Sequence, residues 1–278
     1  MFHEDGLALF EKVASAAIER TGLEPAAIDT VVTICSSGIA TPSLEARAMG
    51  NLGFRSDVRR VPVFGLGCGG GVSGLGLASR LAYAEPGKTV LMVVLELCSL
   101  AFRIDRRTKE DAVASALFAD GAAALILRAG GEGGLATVRG SAEHTWPDTI
   151  DVMGWIFDPV GFGVVLSRSV PIFVERRFPP VAKKLLQAVG LASGDVGRYV
   201  CHPGGGRVVD AVETALKLDR GSLDHERDIL REYGNMSAPT VIFALDRVLK
   251  SPPNGALALS ALGPGFTASL VALDPAHA

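Results

Sequence analysis

The second half of this 278-residue chain repeats the pattern of the first half. A segment with apolar residues at helical spacing ends at Gly22 and another ends at Gly190, 168 residues later. A strand-like apolar segment ends at Cys35 and again at Cys201, 166 residues later. Because the two landmarks agree within two residues, we infer a tandem duplication. Such a duplication restricts the chain to folds that are built from two similar halves.

Each copy continues with a helix and a further apolar strand. Cys68 precedes a helix of small residues at 69–84, and Asn235, 167 residues later, precedes a helix at 236–249. Helices that alternate with continuous apolar strands are typical of sheets buried between helical layers. The sequence therefore predicts an α/β fold with two duplicated halves, in which these two helices meet at a pseudo-two-fold axis.

The two copies differ at their beginnings. Residues 130–171, which include strand-like runs, precede the first helix of the second copy, whereas the first copy begins its helix almost at Met1. We therefore expect the first half, residues 1–128, to be truncated at its amino end and its sheet to lack at least one strand. The second half is expected to span residues 129–278.

Charge and hydropathy exclude several classes of protein. A net charge of −3 and the absence of a polybasic run argue against nucleic acid as a partner. The first residues lack the basic and apolar regions of a signal peptide, and the longest apolar run, at 90–95, is too short to span a bilayer. We expect a soluble cytoplasmic protein without membrane insertion, and a solvated loop at the charged stretch 103–111.

One of the four cysteines stands apart from the others. Cys35, Cys98 and Cys201 each lie in an apolar strand-like run, where a thiol is most often a small buried hydrophobic group. Their scattered spacing fits neither a disulfide framework nor a zinc site. Cys68 instead lies among the five glycines of 65–71, which are costly for helix packing. We interpret Cys68 as a nucleophile.

An imidazole and a carboxamide also lie in glycine-rich surroundings. His202 precedes Pro-Gly-Gly-Gly, and Asn235 lies in Tyr-Gly-Asn-Met-Ser. A buried structural histidine and a plain helix cap are the simpler interpretations of these two residues. Together with Cys68, however, they suit acyl transfer, and a neighbouring histidine and a helix amino terminus would favour a thiolate. A papain-type protease has a similar cysteine-to-histidine spacing, but its signature around the cysteine is absent.

The chain resembles the type III polyketide synthases, the chalcone and stilbene synthase family of the thiolase superfamily, from about Asp5 to the carboxyl end. Five segments carry the resemblance, in this order: Val63-Phe-Gly-Leu-Gly-Cys68, Ala116-Leu-Phe118-Ala-Asp-Gly-Ala-Ala-Ala, His202-Pro-Gly-Gly, Tyr233-Gly-Asn235-Met-Ser and Leu262-Gly263-Pro264-Gly265. In the last segment, Ala261 and Leu262 replace the first two residues of the family's Gly-Phe-Gly-Pro-Gly. The resemblance implies a layered αβαβα thiolase fold.

The resemblance also implies a function. Cys68 would hold an acyl starter, and His202 and Asn235 would support decarboxylation of malonyl-CoA. Acyl-CoA and malonyl-CoA would be the substrates, with no metal or redox cofactor, in a homodimer. Phe118 would gate the pocket. The other residues implied to bind substrate are Gly204, Gly205, Arg207, Gly263, Pro264 and Gly265.

The sequence departs from the family pattern in two places, and two other functions remain as alternatives. The family's basic amino-terminal arm would lie before Met1, and a second gating phenylalanine is replaced near Val164. A ketoacyl-carrier-protein synthase III-like enzyme shares the Cys, His and Asn, and a truncated inactive paralogue would keep them without activity. Met153-Gly-Trp is similar to bacterial members that form alkylpyrones or alkylresorcinols.

Overall fold

The computed structural model describes residues 1–103, 105 and 108–276. This part of the chain forms eight α-helices and ten β-strands. The helices are α1 (Phe2–Thr21), α2 (Leu44–Leu52), α3 (Gly70–Ala84), α4 (Lys109–Leu117), α5 (Val170–Ala188), α6 (Gly206–Leu216), α7 (Asp224–Tyr233) and α8 (Thr240–Leu249). The strands are β1 (Thr30–Ile34), β2 (Arg59–Val63), β3 (Thr89–Leu97), β4 (Asp120–Arg128), β5 (Ala136–Thr145), β6 (Met153–Asp158), β7 (Gly161–Leu166), β8 (Val196–Cys201), β9 (Ala256–Gly263) and β10 (Thr267–Pro275). Of the helices so described, none is both long and apolar enough to cross a membrane.

The strands form two similar sheets and a separate β6-β7 hairpin. The first sheet has the order β2-β1-β3-β4, in which β1 is parallel to both of its neighbours and β4 is antiparallel to β3. The second has the order β5-β10-β9-β8, in which β8 is parallel to β9 and β10 is antiparallel to β9. β1, β3 and β4 therefore correspond to β8, β9 and β10, which confirms the duplicated halves predicted from the repeat.

Three apolar clusters divide the molecule into five layers. Residues of α1 and α2 pack on the outer face of the first sheet, and residues of α5 and α6 pack on the outer face of the second. The third cluster joins α3 and α8 with the inner faces of both sheets. All nine residues of β3 are buried, because this strand has a helical layer on each face. The layered αβαβα arrangement predicted from the sequence is confirmed.

The sheets differ at one edge. In the second sheet β5, from the segment 130–171, pairs with the outer edge of β10. Within the described residues, β4 pairs only with β3, so the matching position in the first sheet holds no strand. The prediction that the first sheet lacks a strand is confirmed for this part of the chain. The first sheet instead gains β2 beyond β1.

The described residues of the charged stretch 103–111 do not all lie in a solvated loop. Residues 109–111 form the first turn of α4, and the side chain of Arg103 is only 8% exposed. Its guanidinium group pairs with Asp105 at 2.6 Å and with Asp158 at 3.0 Å. The prediction was wrong for Arg103 because its partner Asp158 lies in β6, far along the chain, and wrong for 109–111 because the Thr108 side chain caps the start of a helix there. Outside the described residues lie 104, 106 and 107.

Small residues allow α3 and α8 to approach closely in the central layer. A Cβ atom at Gly71 would contact the carbonyl oxygen of Ala238 and would lie 2.7 Å from Cγ1 of Val241. Cys68 lies just before α3 and Asn235 lies a few residues before α8. The close packing therefore brings together the ends of the two helices that carry candidate catalytic residues, as the sequence predicted.

Gly71→Ala should lower the free energy of unfolding by about 1–3 kcal/mol, because the new methyl group would contact a backbone carbonyl that cannot rotate away. The midpoint of chemical denaturation measures this change. Gly50→Ala in α2 is the matched control: a Cβ atom there meets nothing within 4 Å, so alanine should leave stability unchanged or raise it. Similar destabilisation in both variants would contradict the close packing of α3 against α8 at Gly71.

Candidate active site

Cys68 lies in a tight turn between β2 and α3. The chain leaves β2 at Val63 and passes through Gly65 and Gly67, which have φ angles of +94° and +49°. Glycine adopts such angles without the strain that a Cβ atom would cause. Cys68 follows in a short 3₁₀ turn, Gly67–Gly69, that leads directly into α3. The glycines thus allow the chain to reverse direction and place a buried thiol at the amino end of a helix.

A buried carboxyl group and a serine hydroxyl hold this turn. The Ser36 hydroxyl accepts hydrogen bonds from the backbone N–H groups of Gly65, at 3.2 Å, and Gly67, at 2.9 Å. The backbone N–H groups of Ser36 and Ser37 donate in turn to the carboxyl group of Glu96, at 3.0 and 2.8 Å. Burial raises the pKa of Glu96 to about 7, although these bonds oppose the shift. The end of β3 is thereby linked to the backbone beside Cys68.

The Gly263-Pro264-Gly265 segment supports the same turn from the second half. A Cβ atom at Gly263 would lie 2.7 Å from the backbone nitrogen of Gly69, and one at Gly67 would lie 2.7 Å from the Pro264 ring. Gly265 follows at a φ of +127°, between β9 and β10. The structure thus places Gly263 and Pro264 against the turn that carries Cys68. Their role in substrate binding stays a prediction.

His202 follows directly after β8, where the strand reaches the central layer. Its backbone N–H donates to the carbonyl oxygen of Ser260 at 2.8 Å, so β9 holds its position. The imidazole is only 6% exposed, and within the described structure neither of its ring nitrogens has a hydrogen-bond partner. Buried polar atoms without a partner are uncommon and require an explanation. The two nitrogens without a partner make His202 a candidate for binding a ligand.

Asn235 connects the two halves. Its backbone N–H donates to Leu117, and its carbonyl oxygen accepts from Ala119, both at 2.9 Å, so these bonds flank Phe118. Its side-chain Nδ2 donates to the carbonyl oxygen of Gly204 at 3.2 Å. The amide has a second N–H, because an NH₂ group has two donors, and the Asn235 side chain also lowers the pKa of the Cys68 thiol through a hydrogen bond. Asn235 therefore positions the Phe118 backbone and offers a donor of its own.

These residues open onto one cavity of about 700 Å³. Seven of the ten residues predicted from the sequence line it: Cys68, Phe118, His202, Gly204, Gly205, Arg207 and Asn235. Most of the wall is apolar, and the exposed basic residues Lys109, Arg168 and Arg207 form its solvent end. A largely apolar pocket with a few convergent polar groups is typical of a ligand or active site.

Burial shifts the pKa values of both Cys68 and His202. It raises the pKa of the Cys68 thiol to about 11 and lowers the pKa of His202 to about 4. Both shifts favour the uncharged forms, a thiol and a neutral imidazole. The thiolate expected from the sequence stays a prediction, because burial opposes it whereas the hydrogen bonds from Ser237 and Asn235 favour it. A neutral imidazole is nevertheless the form that accepts a proton.

The same burial affects the other thiols. It raises the pKa values of Cys35 and Cys201 to about 12 and raises the pKa of Cys98 well above its usual range. All four cysteines are free and buried, as expected for Cys35, Cys98 and Cys201. Within the described residues, no group of three His, Cys, Asp or Glu side chains is arranged to hold a metal ion.

Several cavity residues had no signal in the sequence. Met153 was noted only for its resemblance, and Leu166 and Phe178 lie in strand or helix patterns that apolar packing explains. Ser237, in the Asn235 segment, donates a hydrogen bond to the Cys68 sulfur at 3.5 Å. Its place in a motif beside Asn235 was a usable signal, since a motif residue next to a catalytic group often contacts that group.

Two family models together match nearly the whole chain. The model described as chalcone and stilbene synthases, N-terminal domain, matches residues 1–131. The model described as chalcone and stilbene synthases, C-terminal domain, matches residues 138–273.

Similar proteins include bacterial enzymes. The 1,3,6,8-tetrahydroxynaphthalene synthase of Streptomyces peucetius subsp. caesius is 40% identical over 275 residues, which cover 96% of this chain and 73% of that protein. A putative chalcone synthase of Bacillus subtilis is 36% identical over 260 residues, which cover 88% of this chain and 70% of that protein.

Solved structures show the same fold. The crystal structure of 1,3,6,8-tetrahydroxynaphthalene synthase from Streptomyces coelicolor matches with a TM-score of 0.93 and 28% identity, over 100% of this chain and 80% of that one. The type III polyketide synthase domain of Steely1 from Dictyostelium matches with a TM-score of 0.90 and 28% identity. This match covers 99% of the present chain and 78% of the Steely1 domain chain. These matches confirm the resemblance and do not favour the synthase III alternative. The chain therefore belongs to the chalcone and stilbene synthase family and is a type III polyketide synthase, an acyltransferase-type condensing enzyme.

Proposed function

We propose that this enzyme loads an acyl-CoA starter on Cys68 and extends it by decarboxylative condensation with malonyl-CoA. The observation that carries the proposal is that Cys68, His202 and Asn235 open onto one apolar cavity. In this proposal the first half, residues 1–128, supplies the nucleophile, and the second half, residues 129–278, supplies the histidine and the asparagine.

Loading begins with the neutral resting pair. The imidazole of His202 accepts the proton of the Cys68 thiol while the sulfur attacks the thioester carbonyl carbon. The bond between this carbon and the sulfur of CoA then breaks. The imidazolium returns the proton to the departing CoA thiolate, so that free CoA leaves and the acyl group stays on Cys68.

Extension uses the same histidine as a hydrogen-bond donor. Malonyl-CoA loses carbon dioxide, and the electron pair of the broken bond forms a thioester enolate. His202 and the second N–H of Asn235 donate to the enolate oxygen, where negative charge develops. The enolate carbon attacks the acyl carbonyl on Cys68, whose thiolate leaves. These steps use only side chains and substrates, and we propose that no metal or redox cofactor takes part.

The solvent end of the cavity suits the phosphate groups of coenzyme A. Lys109, Arg168 and Arg207 are exposed and line this end. Arg168 is paired with Glu110 at 2.8 Å. Arginine and lysine are the usual partners of phosphate oxygens in proteins. We assign Arg207, predicted from the sequence, to a phosphate of the substrate.

The inner wall favours an aliphatic starter. Val170, Phe178 and Val212 line the cavity with apolar side chains that are otherwise buried. Burial of apolar area on such a wall contributes roughly 25 cal/mol per Å² of surface removed from water. An alkyl starter would therefore bind better than a polar one, with alkylpyrones or alkylresorcinols as products.

An exposed apolar surface supports the homodimer. The side chains of Phe64, Ile156 and Phe157 are 45%, 48% and 57% exposed, and the two phenylalanine rings lie 6.5 Å apart. Contiguous exposed apolar patches commonly mark an association surface. We propose that this surface pairs two copies of the chain. A monomer mass in sedimentation equilibrium at micromolar concentration would contradict the proposal.

The experiment for the proposed function is an incubation with malonyl-CoA and a series of acyl-CoA starters, followed by mass analysis of the products. We expect free CoA, carbon dioxide and pyrone or resorcinol products, without any nucleotide cofactor. Turnover only with carrier-bound malonyl groups, stopping after one condensation, would overturn the proposal. Release of tetrahydroxynaphthalene from malonyl-CoA alone would overturn the aliphatic starter and keep the polyketide synthase assignment.

A further inference from the structure

The sulfur of Cys68 has a hydroxyl neighbour outside the set of Cys, His and Asn. The hydroxyl of Ser237 donates a hydrogen bond to it at 3.5 Å, a normal length for a bond to sulfur, and both residues are buried. The two residues are 169 positions apart in the sequence and belong to different halves. The central layer of the fold therefore creates this contact.

The backbone of Ser237 is held in an uncommon conformation. Its φ angle of +59° is in the left-handed region, which costs free energy for a residue other than glycine. Its N–H donates to Oδ1 of Asn235 at 2.8 Å, and its carbonyl oxygen accepts from the Thr240 hydroxyl at 2.8 Å. These bonds fix the residue on both sides. The backbone is thereby held where the hydroxyl group reaches the Cys68 sulfur.

The groups around the Cys68 sulfur have opposite effects on the pKa of its thiol. Burial raises the pKa of Cys68, and the carboxyl group of Glu96 raises it further. The hydrogen bonds from Ser237 and Asn235 lower it, and that from Ser237 is the larger effect. Burial favours the neutral form of the His202 imidazole, which lines the same cavity. The other titratable groups of the cavity wall are Cys201 and, at its solvent end, Lys109, Glu110, Arg168 and Arg207, and Cys98 lies close enough to Cys68 for the two thiols to interact. A donor to the sulfur stabilises the thiolate more than the thiol.

We propose that the Ser237 hydroxyl is a further catalytic group, which stabilises the Cys68 thiolate by donating a hydrogen bond to its sulfur. The inference rests on the proposed function, in which sulfur carries negative charge twice. It does so as the thiol proton moves to His202 during loading, and again when the enolate displaces Cys68 from the acyl group. In both steps the hydroxyl keeps its own proton, and no bond of Ser237 breaks.

The test is the rate of alkylation of Cys68 by iodoacetamide as a function of pH, in Ser237→Ala and Ser237→Gly. Both variants lose the hydroxyl, and glycine also relieves the positive φ angle. We expect each to react roughly tenfold more slowly at a given pH, with the profile moved to higher pH, since a hydrogen bond to a charged group is lost. Thermal unfolding checks that each variant is folded.

Ser260→Ala is the matched control. The Ser260 hydroxyl donates to the sulfur of Cys201 at 3.2 Å, so its loss removes the same kind of bond from a different thiol. The alkylation profile of Cys68 should not change in this variant. A shift as large as that of the Ser237 variants would overturn the inference, because it would show a general effect on the cavity.

Other outcomes separate the inference from the proposed function. Wild-type profiles in both folded Ser237 variants would overturn the role of the hydroxyl, even if the wild-type enzyme forms polyketides. Slower alkylation in the alanine variant alone would assign the effect to backbone strain and would also overturn it. The expected shift in an enzyme that does not condense malonyl-CoA would support the hydrogen bond and reject the proposed function.

Discussion

Replacement of Cys68 by alanine should reduce chain extension by a factor of about 10³ or more, while decarboxylation of malonyl-CoA continues. Without the sulfur no acyl group can be held in the cavity, so the enolate has no electrophile. His202 and Asn235 remain in place, because the Asn235 side chain is held by Gly204 and the His202 backbone by Ser260. Release of carbon dioxide should therefore persist without product.

The measurement counts carbon dioxide, free CoA and polyketide product separately in the same reaction. Cys98→Ala is the control: this thiol is buried in the 3₁₀ turn after β3, and its removal should leave extension close to that of the wild type. Product formation at an undiminished rate by Cys68→Ala would show that the acyl group is held elsewhere. Loss of extension in both variants would indicate damage to the fold.

The main strands and helices were predictable because buried elements have recognisable apolar or small-residue patterns in the sequence. β3 and β9 are buried on both faces and read as continuous apolar runs, and α3 is marked by the small residues that the central layer requires. β6 has no such pattern, because the β6-β7 hairpin is half-exposed and lies outside the two large sheets. The repeat also indicated where the first sheet lacks a strand.

Within the candidate site, the residues that line the cavity were easier to predict than their electrostatics. Cys68 and His202 were recognisable from the glycines around them, which are local signals. Their protonation depends on how much protein covers each side chain, and that is a property of the folded molecule. The same limit applies to Arg103, whose partner Asp158 is 55 residues away, and to Ser237, whose bond to Cys68 joins the two halves.

His202→Ala and Asn235→Ala should each slow malonyl-CoA decarboxylation by about 10²–10³-fold, because each removes one of the two donors that we propose for the developing enolate oxygen. Carbon dioxide release from malonyl-CoA measures the rate. Asn235→Asp separates donation from structure, because it keeps the acceptor oxygen that binds the Ser237 N–H and loses the Nδ2 donor. A carboxylate would also repel the enolate, so this variant should be at least as slow as Asn235→Ala. Full-rate decarboxylation by Asn235→Asp would contradict the role of Asn235 as a donor and would show that the residue only links the two halves. His202 would then be the one donor left among the residues assigned to the enolate.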